Sequence, residues 1–158
     1  MSYGIYLLSE SEGLKMKVDK IKLQIVREKE VEYKQTRIST AKDIVNFMNE
    51  IENIDLLAEE STFVLCLNAK NEIVSYSEIA KGGISFCNFD MKTLFKNILL
   101  SNASKFILVH NHPSGDSTPS KNDIEITKQI KNASEIMNVK FLDHLVIAGN
   151  NYSSCFCN

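Results

Sequence analysis

Proline is scarce in this 158-residue chain: there are two, Pro113 and Pro119, and both fall in one short stretch. Nothing else reads as a Pro/Gly-rich linker. With no internal repeat and no low-complexity tract, the sequence argues against a second domain. No stretch approaches the run of about 20 apolar residues that crosses a bilayer. The start, "MSYGIYLLSESEG", lacks the basic region that precedes a secretory apolar run, so no membrane is expected and the cytoplasm is the expected location. An excess of either charge is missing too: 18 Lys and Arg face 20 Asp and Glu, a formal net charge of -2, and the pI is about 5.9. The whole chain therefore has no attraction to phosphate backbones or anionic lipid. Lysines gather between Lys15 and Lys34, but Glu28, Glu30 and Glu32 interleave with Lys29 and Lys34, the pattern of a solvated face rather than a nucleic-acid patch. The four cysteines, Cys66, Cys87, Cys155 and Cys157, include no CxxC pair, and two lie within apolar strand-like runs. They read as reduced core or strand residues, with Cys155-Phe156-Cys157 left open as a reactive or metal-scavenging tail.

What is present is ordinary globular composition, 44% apolar and 24% charged. A chain of this size buries roughly two-thirds of its unfolded surface and needs no disulfide or structural metal to fold. One domain over 1–158 is expected, with a core at about 39–154 and an N-terminal strand or hairpin extension over 1–38. "IKLQIVREKEVEY" has the β-branched content of that strand or hairpin. "STAKDIVNFMNEI" places Ile44, Phe47, Met48 and Ile51 at i, i+3, i+4 and i+7 behind a Ser/Thr cap, which predicts an amphipathic helix. "TFVLCLNAKNEIVSYSEI" reads as a β-hairpin, with Glu78 near the end of its second strand. Gly82-Gly83 breaks the pattern, and Asp90 can cap a helix whose apolar stripe is Met91, Leu94, Phe95, Ile98 and Leu99. "KFILVH" is a nearly continuous apolar run, the signature of a strand covered on both faces. A loop, a helix from about Lys121 to Met137 and a strand around "FLDHLVIAG" follow. This alternation predicts an α/β sandwich with a central mixed sheet flanked by helices.

The chain has three histidines, and two of them stand one residue apart in "HNHPSGDSTPSKND", residues 110–123. Residues i and i+2 of an extended segment point to one side, so His110 and His112 can offer imidazoles to one point while Asn111 faces away. A catalytic zinc commonly takes three protein ligands, often two histidines and a carboxylate, and keeps a fourth position for water. Asp123 falls in the first turn of the helix that Ser120 caps, where the helix dipole favours a carboxylate. Ser-x-x-Asp is also a capping box that needs no metal, and both roles can hold together, since the cap fixes where Asp123 aims. The Gly and Pro of "PSGDSTP" let the chain fold back toward the strand end, with Asp116 as a turn residue. A hydrolytic site also needs a base, for which Glu78 is the candidate and Glu72 the alternative.

The pattern His110-x-His112, seven residues, Ser120, two residues, Asp123, with an upstream glutamate, resembles the JAMM motif of the MPN/JAB zinc metalloproteases. "HNHPSGD" and "PS..D", then a helix and "LDHLVIAGNNYSS", are similar to the RadC branch of that superfamily, and the likeness covers roughly Thr62 to Ser154. The resemblance implies a three-layer, cytidine-deaminase-like sandwich and one Zn²⁺ per chain held by His110, His112 and Asp123. It also implies Glu78 as general base, Ser120 at the oxyanion position, and hydrolysis of an amide bond in a peptide or isopeptide substrate. Asp143-His144 recurs in that branch, and implies a pair that orients a ligating imidazole from behind. In two places the chain departs from the branch: the first 60 residues show no Gly-x-Gly hairpin of the kind linked to DNA, and Asp90-Met91 stands where many relatives have His-Pro. Competing readings are a DNA-repair-associated accessory protein, which the charge does not support, and a metal-binding scaffold without turnover. A zinc deaminase would need HxE with PCxxC, and neither is present.

Overall fold

The computed structural model describes residues 18–22, 24–34, 37–82 and 90–156. The first helix, α1 (Ala41–Glu52), starts at Thr40, whose side chain accepts from the Asp43 amide while Asp43 reaches back to the cap backbone. It buries Ile44, Val45, Phe47 and Met48, so the expected stripe is present. Burying such aliphatic side chains is worth about 1.5–3 kcal/mol each, which is why packing rather than propensity holds a helix this short. The chain ends it with Asn53 in the left-handed conformation and makes a 3-10 turn, Ile54–Leu56.

The hairpin forms as expected from β1 (Ser61–Leu67) and β2 (Ile73–Lys81). Asp90 caps α2 (Met91–Leu100) by accepting from the Lys92 amide. Leu94, Phe95 and Ile98 are buried, but Leu99, at the flank of the expected stripe, is 47% exposed. Then come β3 (Lys105–Asn111), α3 (Lys121–Ile136), β4 (Lys140–Ala148) and a short β5 (Asn151–Ser154).

The five strands form one sheet in the order β2-β1-β3-β4-β5. It is mixed: β3 pairs antiparallel with β1 and parallel with β4, and α3 is the crossover between the parallel pair. β3 is central and almost fully buried, which explains its unbroken apolar run. Alternate residues feed two separate cores. Phe63, Leu65, Ile107, Val109, Leu145 and Ile147 pack with α1 on one face, whereas Val64, Cys66, Phe106 and Leu108 pack with Leu94 and Ile98 of α2 and Ile130 of α3 on the other. Helices thus lie on both faces of a central sheet, the three-layer α/β sandwich expected.

The N-terminal hairpin does not form among the described residues. From 18 to 34 none of them is in a strand, and Val18, Ile21, Ile25 and Val26 are exposed. The described residues of the segment have strand composition but no partner ladder among the described residues, and composition without a ladder is not enough. Gly83, Cys87 and Cys157, also singled out from the sequence, lie outside the described residues. Among the described residues no helix is long and apolar enough to cross a membrane.

Candidate metal centre

The even-numbered face of β3 begins as core and ends as chemistry. Phe106 and Leu108 are apolar and fully buried, and His110 continues the same face at 2% exposure. One period further on, His112 leaves the strand with its amide donating to the Ile147 carbonyl (2.8 Å), which holds the residue against β4. Gly115, at a φ of 85°, supplies the backbone conformation that turns the loop back. The turn places the Asp116 carbonyl 2.8 Å from His112 Nδ1. A carbonyl only accepts, so Nδ1 carries a proton and His112 points Nε2 into the site.

The loop ends where Ser120 caps α3. The Asp123 amide donates to Ser120 Oγ (3.2 Å), and the Ser120 amide donates to Asp123 Oδ2 (2.7 Å). Fixed in this capping box, Asp123 brings Oδ1 to 3.5 Å from His110 Nε2 and Oδ2 to 3.6 Å from His112 Nε2. The two Nε2 atoms are 3.0 Å apart. Ligands about 2.0–2.1 Å from a tetrahedral zinc stand roughly 3.4 Å from one another, so one ion satisfies all three separations. Among the described residues, His110, His112 and Asp123 are the group that could hold a metal ion. His112 and Asp123 keep 13% and 16% of their side-chain surface, so the group is reachable from solvent.

Electrostatics match the geometry. The hydrogen bond with Asp123 raises the His112 pKa, against the opposing effect of burial, and the Asp116 carbonyl and the Glu60 charge add to the rise. Burial alone would raise the Asp123 pKa, but the two imidazoles at 3.5 and 3.6 Å outweigh it and hold the carboxyl well below its usual range. Two imidazoles and an ionised carboxylate crowded at these distances form a donor set suited to a borderline cation such as zinc.

A family model described as the RadC-like JAB domain matches residues 38–157. The chain belongs to the RadC-like JAB domain family. Its curated relatives include a UPF0758 protein of Flavobacterium johnsoniae, 43% identical over 121 residues that cover 77% of this chain and 52% of that protein. A UPF0758 protein of Clostridium perfringens is 34% identical over 123 residues, covering 78% of this chain and 53% of the relative. One of Carboxydothermus hydrogenoformans is 36% identical over 122 residues, covering 73% and 54%. The chain spans about half the length of these relatives.

Within this RadC-like JAB domain Glu78, the residue expected as base, lies on the face of the sheet away from His110. Glu78 is exposed and pairs in register with Phe63, whose side chain belongs to the α1 core on the other face of the sheet. Glu72 sits in the β1–β2 turn, accepting from Asn68 Nδ2 (2.6 Å), at the end of β1 remote from His110. Among the described residues, the glutamate beside the site is Glu60. Thr62 pairs with His110 across the β1–β3 ladder, and continuing that register sets Glu60 across from His112 on the same face. Asn111 pins the segment. Its Oδ1 accepts from the Ser61 amide (2.8 Å) and its Nδ2 donates to the Glu59 carbonyl (3.1 Å), while Gly82 donates to the Glu60 carbonyl (2.8 Å). Asn111 does face away from the histidines, and this is the use it makes of that face. The signal for Glu60 was its place just ahead of the apolar run "STFVLCL", but only the pairing of β1 with β3 makes that place meaningful.

Asp143 and His144 divide differently from the expectation. Asp143 accepts from Ser154 Oγ (2.6 Å) and the His144 amide (2.8 Å) and touches no imidazole of the site. It is His144 that stands behind the ligands, with Nε2 2.9 Å from His110 Nδ1. Cys155 is no reactive tail: it is buried, and burial pushes its thiol up to about 12. Asp116 is a turn residue as expected, with Oδ1 accepting from the Thr118 amide (2.8 Å).

Proposed function

We propose that the domain is a zinc-dependent hydrolase that uses metal-activated water on an amide bond of a peptide or isopeptide. The observation that carries this reading is the convergence of His110 Nε2, His112 Nε2 and the Asp123 carboxylate, at separations one tetrahedral ion satisfies, at the carboxyl end of β3. His110, His112 and Asp123 would hold the zinc, and the side reachable from solvent would admit water and substrate. When bound, zinc supplies a Lewis acid that lowers the pKa of a water to about 7 and polarises a carbonyl. Glu60 is the base in this reading: its carboxylate takes the proton of the attacking water and returns it to the leaving amine. Ser120 spends an oxygen lone pair on the cap, which leaves its O–H proton to donate to the carbonyl oxygen as negative charge grows there. Asn111 holds the Glu60 backbone in place without touching the reacting atoms.

The two glutamates test the reading. Glu60→Gln keeps one zinc per chain and loses about 10²–10⁴-fold in peptide hydrolysis, the usual range for a general base, while Glu78→Gln leaves turnover unchanged. Undiminished hydrolysis in Glu60→Gln would remove the base from this position.

A further inference from the structure

Behind the three ligands lies a chain of polar contacts, and its proton positions are determined. Thr127 Oγ1 is 2.5 Å from the Asp123 carbonyl and 2.6 Å from His144 Nδ1. The carbonyl can only accept, so the single hydroxyl proton of Thr127 goes to it. The Thr127 oxygen must then accept from His144, whose proton therefore sits on Nδ1. His144 is buried at 2% exposure with its two ring nitrogens facing a hydroxyl and another imidazole, and an imidazole whose proton is on Nδ1 presents a bare lone pair at Nε2. That lone pair faces His110 Nδ1 at 2.9 Å, so His110 is the donor and its own free lone pair is at Nε2, on the side of His112 and Asp123. The reverse order would put a proton on His110 Nε2 and set two acceptor oxygens, Thr127 Oγ1 and the Asp123 carbonyl, 2.5 Å apart with no proton between them.

We propose that Thr127 and His144 are positioning residues that set the tautomer and ring orientation of His110, through a hydrogen-bond chain that runs from the Asp123 backbone carbonyl to His110 Nδ1. The inference rests on the metal-binding reading above and adds to it. The backbone carbonyl of Asp123 anchors one end of the chain, while its carboxylate meets His110 Nε2 at the other. The first turn of α3 thus governs two ligands at once, one directly and one through Thr127 and His144. A Thr hydroxyl bonded to the i−4 carbonyl is common inside helices and needs no such role. What distinguishes this one is that its remaining lone pair is aimed at a buried imidazole that in turn touches a ligand.

The test uses the whole chain and zinc alone. Thr127→Val, nearly isosteric, deletes the hydroxyl and lowers zinc affinity in chelator competition by about 10–100-fold, the range for losing such outer-sphere partners. Thr127→Ser restores the hydroxyl and wild-type affinity. Long-range ¹⁵N–¹H spectra of the unaltered, metal-free chain at neutral pH place the His144 proton on Nδ1 before any metal is added, a readout that needs no variant to fold. Wild-type zinc affinity in a folded Thr127→Val chain, or a His144 proton on Nε2, would overturn the inference and leave the metal reading standing. An unaltered chain that takes up no zinc would overturn both.

Discussion

Two helices of this domain start with the same device, and only one of them carries a site. At α1 the Thr40 amide donates to Asp43 Oδ2 (2.8 Å) and the Asp43 amide to Thr40 Oγ1 (3.3 Å). At α3 the corresponding distances from Ser120 and Asp123 are 2.7 and 3.2 Å. Seen as caps the two are equivalent, each satisfying helix-end amides that would otherwise lack partners. What differs is the neighbour. α3 begins beside the end of β3, so His110 and His112 come within 3.5 and 3.6 Å of its carboxylate. The cap uses one oxygen of Asp123 and leaves Oδ1 facing His110, and a carboxylate has lone pairs enough for both tasks. A capping box decides where a carboxylate sits, and the adjoining strand end decides what it faces.

Substituting the two aspartates breaks the comparison most sharply. Asp123→Asn removes the only anionic ligand and lowers zinc affinity by more than about 100-fold, exceeding the loss expected from outer-sphere partners. Asp43→Asn, the same change in the same motif, leaves zinc affinity at the wild-type value by the same chelator competition. Equal effects would mean that the two boxes do not differ as described. A smaller effect comes from the caps themselves. Thr40→Ala and Ser120→Ala each cost about 1 kcal/mol of stability in denaturant unfolding. Ser120→Ala alone also loses about 10²-fold in hydrolysis if its hydroxyl serves the carbonyl oxygen.

Much of this was legible in the sequence, and the residues show why. α1, the hairpin, α2, β3 and α3 are local patterns, and the ligands His110, His112 and Asp123 share one short segment whose spacing already implied a common target. The nearness of Glu60 to His112 was not legible because it depends on β1 pairing with β3, about fifty residues away, whereas Glu78 stands out locally at the end of a strand pattern. Thr127 carries no signal of its own in the sequence, and His144 reads there as half of an Asp-His pair. Only the packing of α3 onto β4 shows that the histidine, rather than Asp143, backs the site. The described part of the N-terminal segment, 18–22 and 24–34, differs in the opposite sense. Its β-branched content promised a hairpin, but a strand is a relation between segments, and composition reports only one side of it.

The central claim is that one ion sits between His110, His112 and Asp123. It is tested most directly by crystals of the purified protein with diffraction recorded on both sides of the zinc absorption edge. The account predicts one anomalous peak per chain at about 2.0–2.2 Å from the Nε2 atoms of both histidines and from a carboxylate oxygen of Asp123. Zinc-loaded crystals with no peak there, or with a peak held by other residues, would contradict it.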